Sequence, residues 1–118
     1  IAICGYIVIG IKIPTLLQRL EKRTRALAGQ PVNLEEQVGH LMNVAVDPAF
    51  RGRGIDKALI KQGVRYLKSI DASSIELEVR TTNESAIRLY EQFGFKTLRI
   101  IQNYYHDGED ALYMRKEL

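Results

Sequence analysis

The feature that most restricts the fold of this chain is a strand that turns into a helix within a few residues. Residues 38–47 (VGHLMNVAVD) are apolar and end at Asp47-Pro48. Proline donates no backbone hydrogen bond and constrains the residue before it, so the strand stops there. Phe50-Arg51-Gly52-Arg53-Gly54 follows, and from Ile55 onward Ile55, Ala58, Leu59, Tyr66, Leu67 and Ile70 recur at helical spacing. A strand that feeds a helix through such a turn brings unpaired N–H groups and the positive end of the helix dipole to one point. Glycines let the backbone approach an anion without a Cβ in the way. Arg51, Arg53 and Lys57 add positive charge. The arrangement reads as a cradle for a diphosphate. From the glycines alone, a turn serving only the strand-to-helix geometry reads equally well.

The rest of the chain builds a mixed α/β domain around this unit. Residues 2–13 (AICGYIVIGIKI) read as a buried strand, with Gly5 and Gly10 marking close backbone approach or a bulge. Pro14 ends it. Residues 15–28 have helical character, with Thr15 as N-cap and Gly29 as stop, and 29–37 is a loop. Together 14–37 reads as a surface insertion. After the helix that starts at Ile55, a turn at 71–74 leads to 75–80 (IELEVR), which alternates as a strand does. Asn83 caps a short helix over 84–92, and Gly94 in Phe93-Gly94-Phe95 supplies its left-handed exit. A strand over 95–103, a polar turn over 104–110 and a strand over 111–116 complete the order β, insertion, β–α–β–α–β–β.

Bulk properties narrow the function classes. The 118 residues fit a single domain, residues 1–118, and the 46% hydrophobic and 26% charged composition is that of a globular chain. A net charge of +3 is mildly basic and decides little. The basic cluster from Arg19 to Arg25 has no interleaved aromatics, so no direct nucleic-acid partner is predicted. No stretch is long and apolar enough to cross a membrane, and no membrane partner is predicted. Cys4 is the only cysteine and sits in an apolar run, which points to a buried thiol in a reducing compartment, and no metal is expected. The sequence opens on Ile1 inside an apolar segment, which predicts further chain upstream.

Two motifs carry a resemblance. Arg51-Gly52-Arg53-Gly54-Ile55 resembles the coenzyme A loop of the GNAT superfamily of acetyltransferases, whose pattern is Q/R-x-x-G-x-G/A after a strand. Downstream, Leu77-Glu78-Val79-Arg80, Asn83-Glu84-Ser85-Ala86, Leu89-Tyr90 and Phe93-Gly94-Phe95 look like the second half-site of that family. Asn103 to Ala111 (NYYHDGEDA) is similar to the catalytic subunits of protein N-terminal acetyltransferases and to ribosomal-protein alanine acetyltransferases. The resemblance covers 38–118 well and 3–10 loosely. It implies a GNAT fold, a mixed and mostly antiparallel central sheet flanked by helices. The family's first strand and helices have no counterpart before Ile1.

What the resemblance implies about the site is specific. Val44, Ala45 and Val46 would lie along acetyl-coenzyme A, the co-substrate. Arg51, Gly52, Arg53, Gly54, Ile55, Asp56 and Lys57 would hold its diphosphate, and Asn83 would add a contact. Glu78 is the first candidate base and His40 the second, an imidazole being able to accept a proton at neutral pH. Tyr90 would be the acid, and backbone N–H groups around Val44 and Ala45 would polarise the thioester carbonyl. Tyr104 and Tyr105 would touch the backbone of a peptide whose α-amino group is acetylated. A small amine, a lysine side chain, or coenzyme A binding without catalysis are the alternatives. A ribosome or an auxiliary subunit as partner, a monomer or weak dimer, and a cytoplasmic setting complete the expectation. One position departs from the family pattern: Asp56 stands where Gly or Ala is usual. A carboxylate there suits the helix dipole and opposes a diphosphate.

Overall fold

A computed structural model describes residues 5–12 and 37–118. Its strands are β1 (Gly5–Lys12), β2 (Val38–Val46), β3 (Ser74–Arg80), β4 (Lys96–Ile101) and β5 (Ala111–Glu117). Two helices, α1 (Ile55–Ser69) and α2 (Glu84–Gln92), follow β2 and β3 respectively. The sheet order is β1-β2-β3-β5-β4. Among the described residues only β2 and β3 pair in parallel; β1 with β2, β3 with β5 and β4 with β5 are antiparallel. This is the mixed, mostly antiparallel sheet that the family resemblance implies. The expected helix 15–28, all but the last residue of the loop 29–37, and Cys4 lie outside the described residues.

The period of two along β3 sorts its side chains between the two faces of the sheet. Ile75, Leu77 and Val79 join Leu41, Leu67, Phe95 and Met114 in one core, against which Ala86, Ile87, Tyr90 and Phe93 of the α2 region pack. Both helices therefore cover this face. Ser74, Glu76, Glu78 and Arg80 belong to the opposite one. Ile60, Leu67, Ile75, Leu77 and Met114 are almost wholly shielded from solvent. Each such side chain contributes about 1.5–3 kcal/mol by leaving water.

The inner face of α1 differs from the expected one in two places. Tyr66 is 53% exposed and Ala58 is exposed, whereas Ile60 is buried. Gly63 explains the rotation. A Cβ built there would stand 2.8 Å from Ile9 and 3.0 Å from Ile7, so the helix touches β1 backbone-first at Gly63. Ile60 and Leu67, three before and four after Gly63, then turn inward, and Tyr66 turns out.

Of the two readings of Gly5 and Gly10, close backbone approach holds at Gly5, where a Cβ would stand 2.7 Å from the Ala45 carbonyl oxygen, and the bulge lies on the partner strand. Val8 pairs with Asn43 and Ile9 with Leu41, which leaves Met42 as the extra residue of β2. A bulge bends the strand that carries it. Pairing of β2 with β3 runs from Val38↔Ser74 to Leu41↔Leu77 and ends there. Beyond Leu41 the two parallel strands part, and β2 continues to Val46 bonded to β1 alone. A 3-10 turn over Pro48–Phe50, held by the Ala49 N–H donating to Asp47 Oδ1 at 2.9 Å, connects β2 to the glycine turn. At the other end of the domain β4 is shorter than expected. Phe95 is buried beneath α2 rather than in the strand, and Asn103 takes a left-handed conformation (φ 53°) that ends the extended run.

Candidate active site

The parting of β2 and β3 opens a cleft of about 210 Å³ in the middle of the domain. Asn43 and Val44 line it from β2, Glu78 and Arg80 from β3, Tyr90 from α2 and Tyr105 from the turn between β4 and β5. Asn83 also reaches it, although its side chain caps α2 by accepting from the Ala86 N–H at 3.3 Å. A second concavity of about 270 Å³ lies at the start of α1, lined by Val46, Phe50, Arg51, Gly52, Ile55 and Asp56. The end of β2 joins the two.

The second concavity has the build of an anion site. Gly52 and Gly54 both have positive φ, 78° and 74°, and Gly54 is the N-cap of α1 with no side-chain cap bond. Any other residue at either place would meet open space yet carry a strained backbone, at about 1–2 kcal/mol each. The N–H groups of the first helical turn point out of the helix end, as in any α-helix. Arg51 Nε donates to the Val46 carbonyl at 3.3 Å and pins the turn back onto β2. The Arg53 guanidinium lies 5.1 Å from the centre of the Phe50 ring. Lys57 is exposed on the first turn of the helix.

The titratable groups converge on the cleft. His40 Nε2 lies 2.5 Å from Glu78 Oε2, and these side chains are only 19% and 13% exposed. In the register His40 faces Glu76, so the imidazole reaches diagonally past it to Glu78. Glu76, on the same face as Glu78, accepts from the Tyr113 hydroxyl instead. The two rival bases of the sequence reading are thus partners in one hydrogen bond. Tyr90 packs edge-on against Phe95, with centroids 5.7 Å apart. Burial first, then the neighbouring Tyr105 and the charge of Asp56, push the Tyr90 hydroxyl above its ordinary value of 10.0. It therefore keeps its proton through the neutral range.

Beside this cleft between parting parallel strands, β2 runs through a glycine turn into α1, as the sequence motif predicts. Residues 3–95 match the Acetyltransferase (GNAT) family. The chain belongs to the GNAT family. An N-alpha-acetyltransferase of Sulfurisphaera tokodaii is 40% identical over 81 residues, which is 68% of this chain and 48% of that protein. A [ribosomal protein bS18]-alanine N-acetyltransferase of Salmonella typhimurium is 38% identical over 97 residues, 80% of this chain and 64% of the relative. The fold is that of Arabidopsis thaliana NAA60, solved in complex with acetyl-CoA. The TM-score is 0.78 with 24% identity, over 98% of this chain and 66% of the other. The chain spans about half the length of the first of these relatives.

Asp56 gives this GNAT domain its own signature. Its Oδ1 accepts the N–H of Lys57 at 2.8 Å, so a carboxylate of the chain itself occupies one donor of the helix start. It also lines the concavity that a diphosphate would fill. Asp56→Asn removes the charge, and Asp56→Gly removes the side chain. Two unit charges about 4 Å apart in a water-like medium interact by about 1 kcal/mol. We therefore expect either variant to tighten acetyl-coenzyme A binding by roughly fivefold in titration calorimetry. Equal or weaker binding in both would reject a repulsive role for Asp56.

The acidic tract after the paired tyrosines serves the loop. Arg80 Nη1 lies 2.8 Å from Asp107 Oδ2 and 2.5 Å from Glu109 Oε2, and Asp110 Oδ1 accepts the Asn103 N–H at 2.9 Å. Tyr104 and Tyr105 stand edge-to-face, 4.9 Å apart, with Tyr105 partly buried at the cleft and Tyr104 45% exposed. Sequence reasoning assigned Arg80 no role. Its partners lie 27 and 29 residues away. The available signal was an arginine at the end of a strand whose other outward residues are acidic, with an acidic tract downstream to receive it.

Proposed function

We propose that this domain transfers an acetyl group from acetyl-coenzyme A to the α-amino group of a protein or peptide N-terminus, by direct attack in a ternary complex. The observation that carries the reading is Glu78, hydrogen-bonded to His40 and lining the cleft where β2 and β3 part, with Tyr90 lining the same cleft from α2.

Each part of the chain has a task in this reading. Gly52, Gly54 and the first N–H groups of α1 would receive the diphosphate, with Arg51, Arg53 and Lys57 nearby. The pantetheine arm would run along Val44, Ala45 and Val46, on the edge of β2 that β3 has left. An α-amino group titrates at about 7.7–8.0, so a useful fraction of it is neutral near physiological pH. Its nitrogen attacks the thioester carbonyl and the C–S bond breaks. The proton lost by nitrogen passes to the His40–Glu78 pair, directly or through water. N–H groups around Val44 and Ala45 would stabilise the carbonyl oxygen as it gains charge. The Tyr90 hydroxyl, protonated and desolvated, donates to the departing sulfur.

Tyr104 and Tyr105 favour a peptide acceptor over a small amine, because a pair of rings at the rim offers hydroxyls and flat surfaces to a peptide backbone. The names of the Sulfurisphaera and Salmonella relatives support the same acceptor class. A cytoplasmic setting, and a ribosome or auxiliary subunit as partner, belong to the proposal with it. The test is mass spectrometry of a mixed N-terminal peptide library incubated with the protein and acetyl-coenzyme A, beside spermidine and an N-blocked lysine peptide. The expected result is a mass gain confined to free α-amino groups. Acetylation of spermidine or lysine alone would move the assignment to another acceptor class. Cofactor binding with no acetylation of any acceptor would leave a coenzyme A-binding module.

A further inference from the structure

The turn between β4 and β5 is folded mostly onto itself. The Tyr105 N–H donates to the Glu109 carbonyl at 3.1 Å, and the Gly108 N–H donates to the Tyr105 carbonyl at 2.9 Å. Its ties to the body of the domain gather at the end of β3. The Thr81 N–H donates to the Asp110 carbonyl at 3.2 Å, and the Thr82 hydroxyl donates to Glu109. Above all, one guanidinium serves three partners. Arg80 binds Asp107 and Glu109, and its Cζ lies over the Tyr105 ring, 4.0 Å from the ring centre. Arginine is suited to this, being planar, always charged and able to bond carboxylates while stacking on a ring.

We propose that Arg80 is a positioning residue that holds Tyr105 at the cleft, and through it the adjacent Tyr104, so that the acceptor meets an ordered rim. The proposal rests on the reading of this cleft as an N-terminal acetylation site. Exposed ion pairs add little to global stability, so the consequence of the Arg80 cluster falls on the turn itself. The carboxyls of the cluster are consistent with a persistent contact. Glu109 is held below the usual carboxylate range by its bonds from Thr82 and then Arg80. Asp107 is held low first by the Glu109 N–H and then by Arg80. Neither Asp107 nor Glu109 lines the cleft, whereas Arg80 and Tyr105 do. A substitution at Glu109 therefore separates positioning from direct contact with the acceptor.

The experiment compares Arg80→Gln, Arg80→Lys and Glu109→Gln in the full chain by hydrogen exchange and by steady-state kinetics at saturating acetyl-coenzyme A. Exchange at the Tyr105 and Gly108 amides should accelerate in Arg80→Gln, while amides of the β3–β5 pairing keep their protection. KM for the peptide should rise about tenfold, the size expected when two side chains must be ordered on binding. The cofactor dissociation constant and the melting temperature should stay near those of the parent. Arg80→Lys should fall between, and Glu109→Gln should raise KM in the same direction. Unchanged exchange at Tyr105 and Gly108 overturns the proposal. So does a loosened turn with unchanged peptide KM, or a KM effect of Arg80→Gln that Glu109→Gln does not share. If the parent protein acetylates no peptide, the acceptor reading fails by itself, and the exchange measurement still decides whether Arg80 orders the turn.

Discussion

Glu78→Gln lowers kcat/KM for a peptide acceptor by about 10²–10⁴, the range of a lost acid–base group, and adding His40→Ala to it costs little more. The expectation follows from a single distance. His40 Nε2 and Glu78 Oε2 are 2.5 Å apart, in a site that leaves both side chains largely shielded. Groups in such contact act as a unit, so single substitutions are each costly and the double substitution is far from additive. The measurement is kcat/KM for the parent, both single variants and the double variant, with thermal melting beside it. Effects that add in free energy would mean that the two residues act separately, and the paired base would be wrong. Substitution of one partner also leaves the other in a poorly hydrated place, which costs stability. The melting curves keep that loss apart from the loss of rate.

Tyr90→Phe lowers kcat by about 10²–10³, as removal of one donor to a developing anion does elsewhere, while acetyl-coenzyme A binding changes little. The ring stays where it is, edge-on to Phe95, so the core is preserved and only the hydroxyl leaves. The pH dependence gives a second check. Burial, Tyr105 and Asp56 all raise the Tyr90 hydroxyl above its ordinary value, because each disfavours the phenolate. A donor must be protonated, so the alkaline fall of kcat lies higher than for an ordinary tyrosine. Asp56→Asn removes one of the three causes, which moves that fall to lower pH. Turnover unchanged in Tyr90→Phe would exclude the hydroxyl from the reaction. An alkaline limb that Tyr90→Phe leaves in place would show that the limb belongs to another group.

The two sites of the domain differ in how legible they were. The turn at the start of α1 is local: a proline, two glycines and a helix start lie within a few consecutive residues, and their backbone requirements follow from residue type alone. Gly52 and Gly54 do take the left-handed conformations that glycine permits. Asn83 likewise caps α2 as its position suggested. The cleft is not local. His40 and Glu78 are 38 residues apart, and the sequence offered them as alternatives because it carries no sign of which diagonal neighbour an imidazole will reach. The sequence left Gly5 and Gly10 open between close backbone approach and a bulge for a related reason. Gly5 does approach the Ala45 carbonyl closely, but the extra residue is decided by how the two strands align, and that alignment placed it at Met42.

Periodicity, proline and glycine positions and capping residues were enough to put the described strands and helices in order and to locate the glycine turn, since each acts over a handful of neighbouring residues. Only the assembled sheet decided that the bulge at Met42 coincides with the end of β2–β3 pairing, that His40 and Glu78 meet, and that Arg80 gathers two carboxylates and a tyrosine ring. Those are contacts between segments far apart in the chain. They depend on strand register and packing, which short-range preferences do not encode.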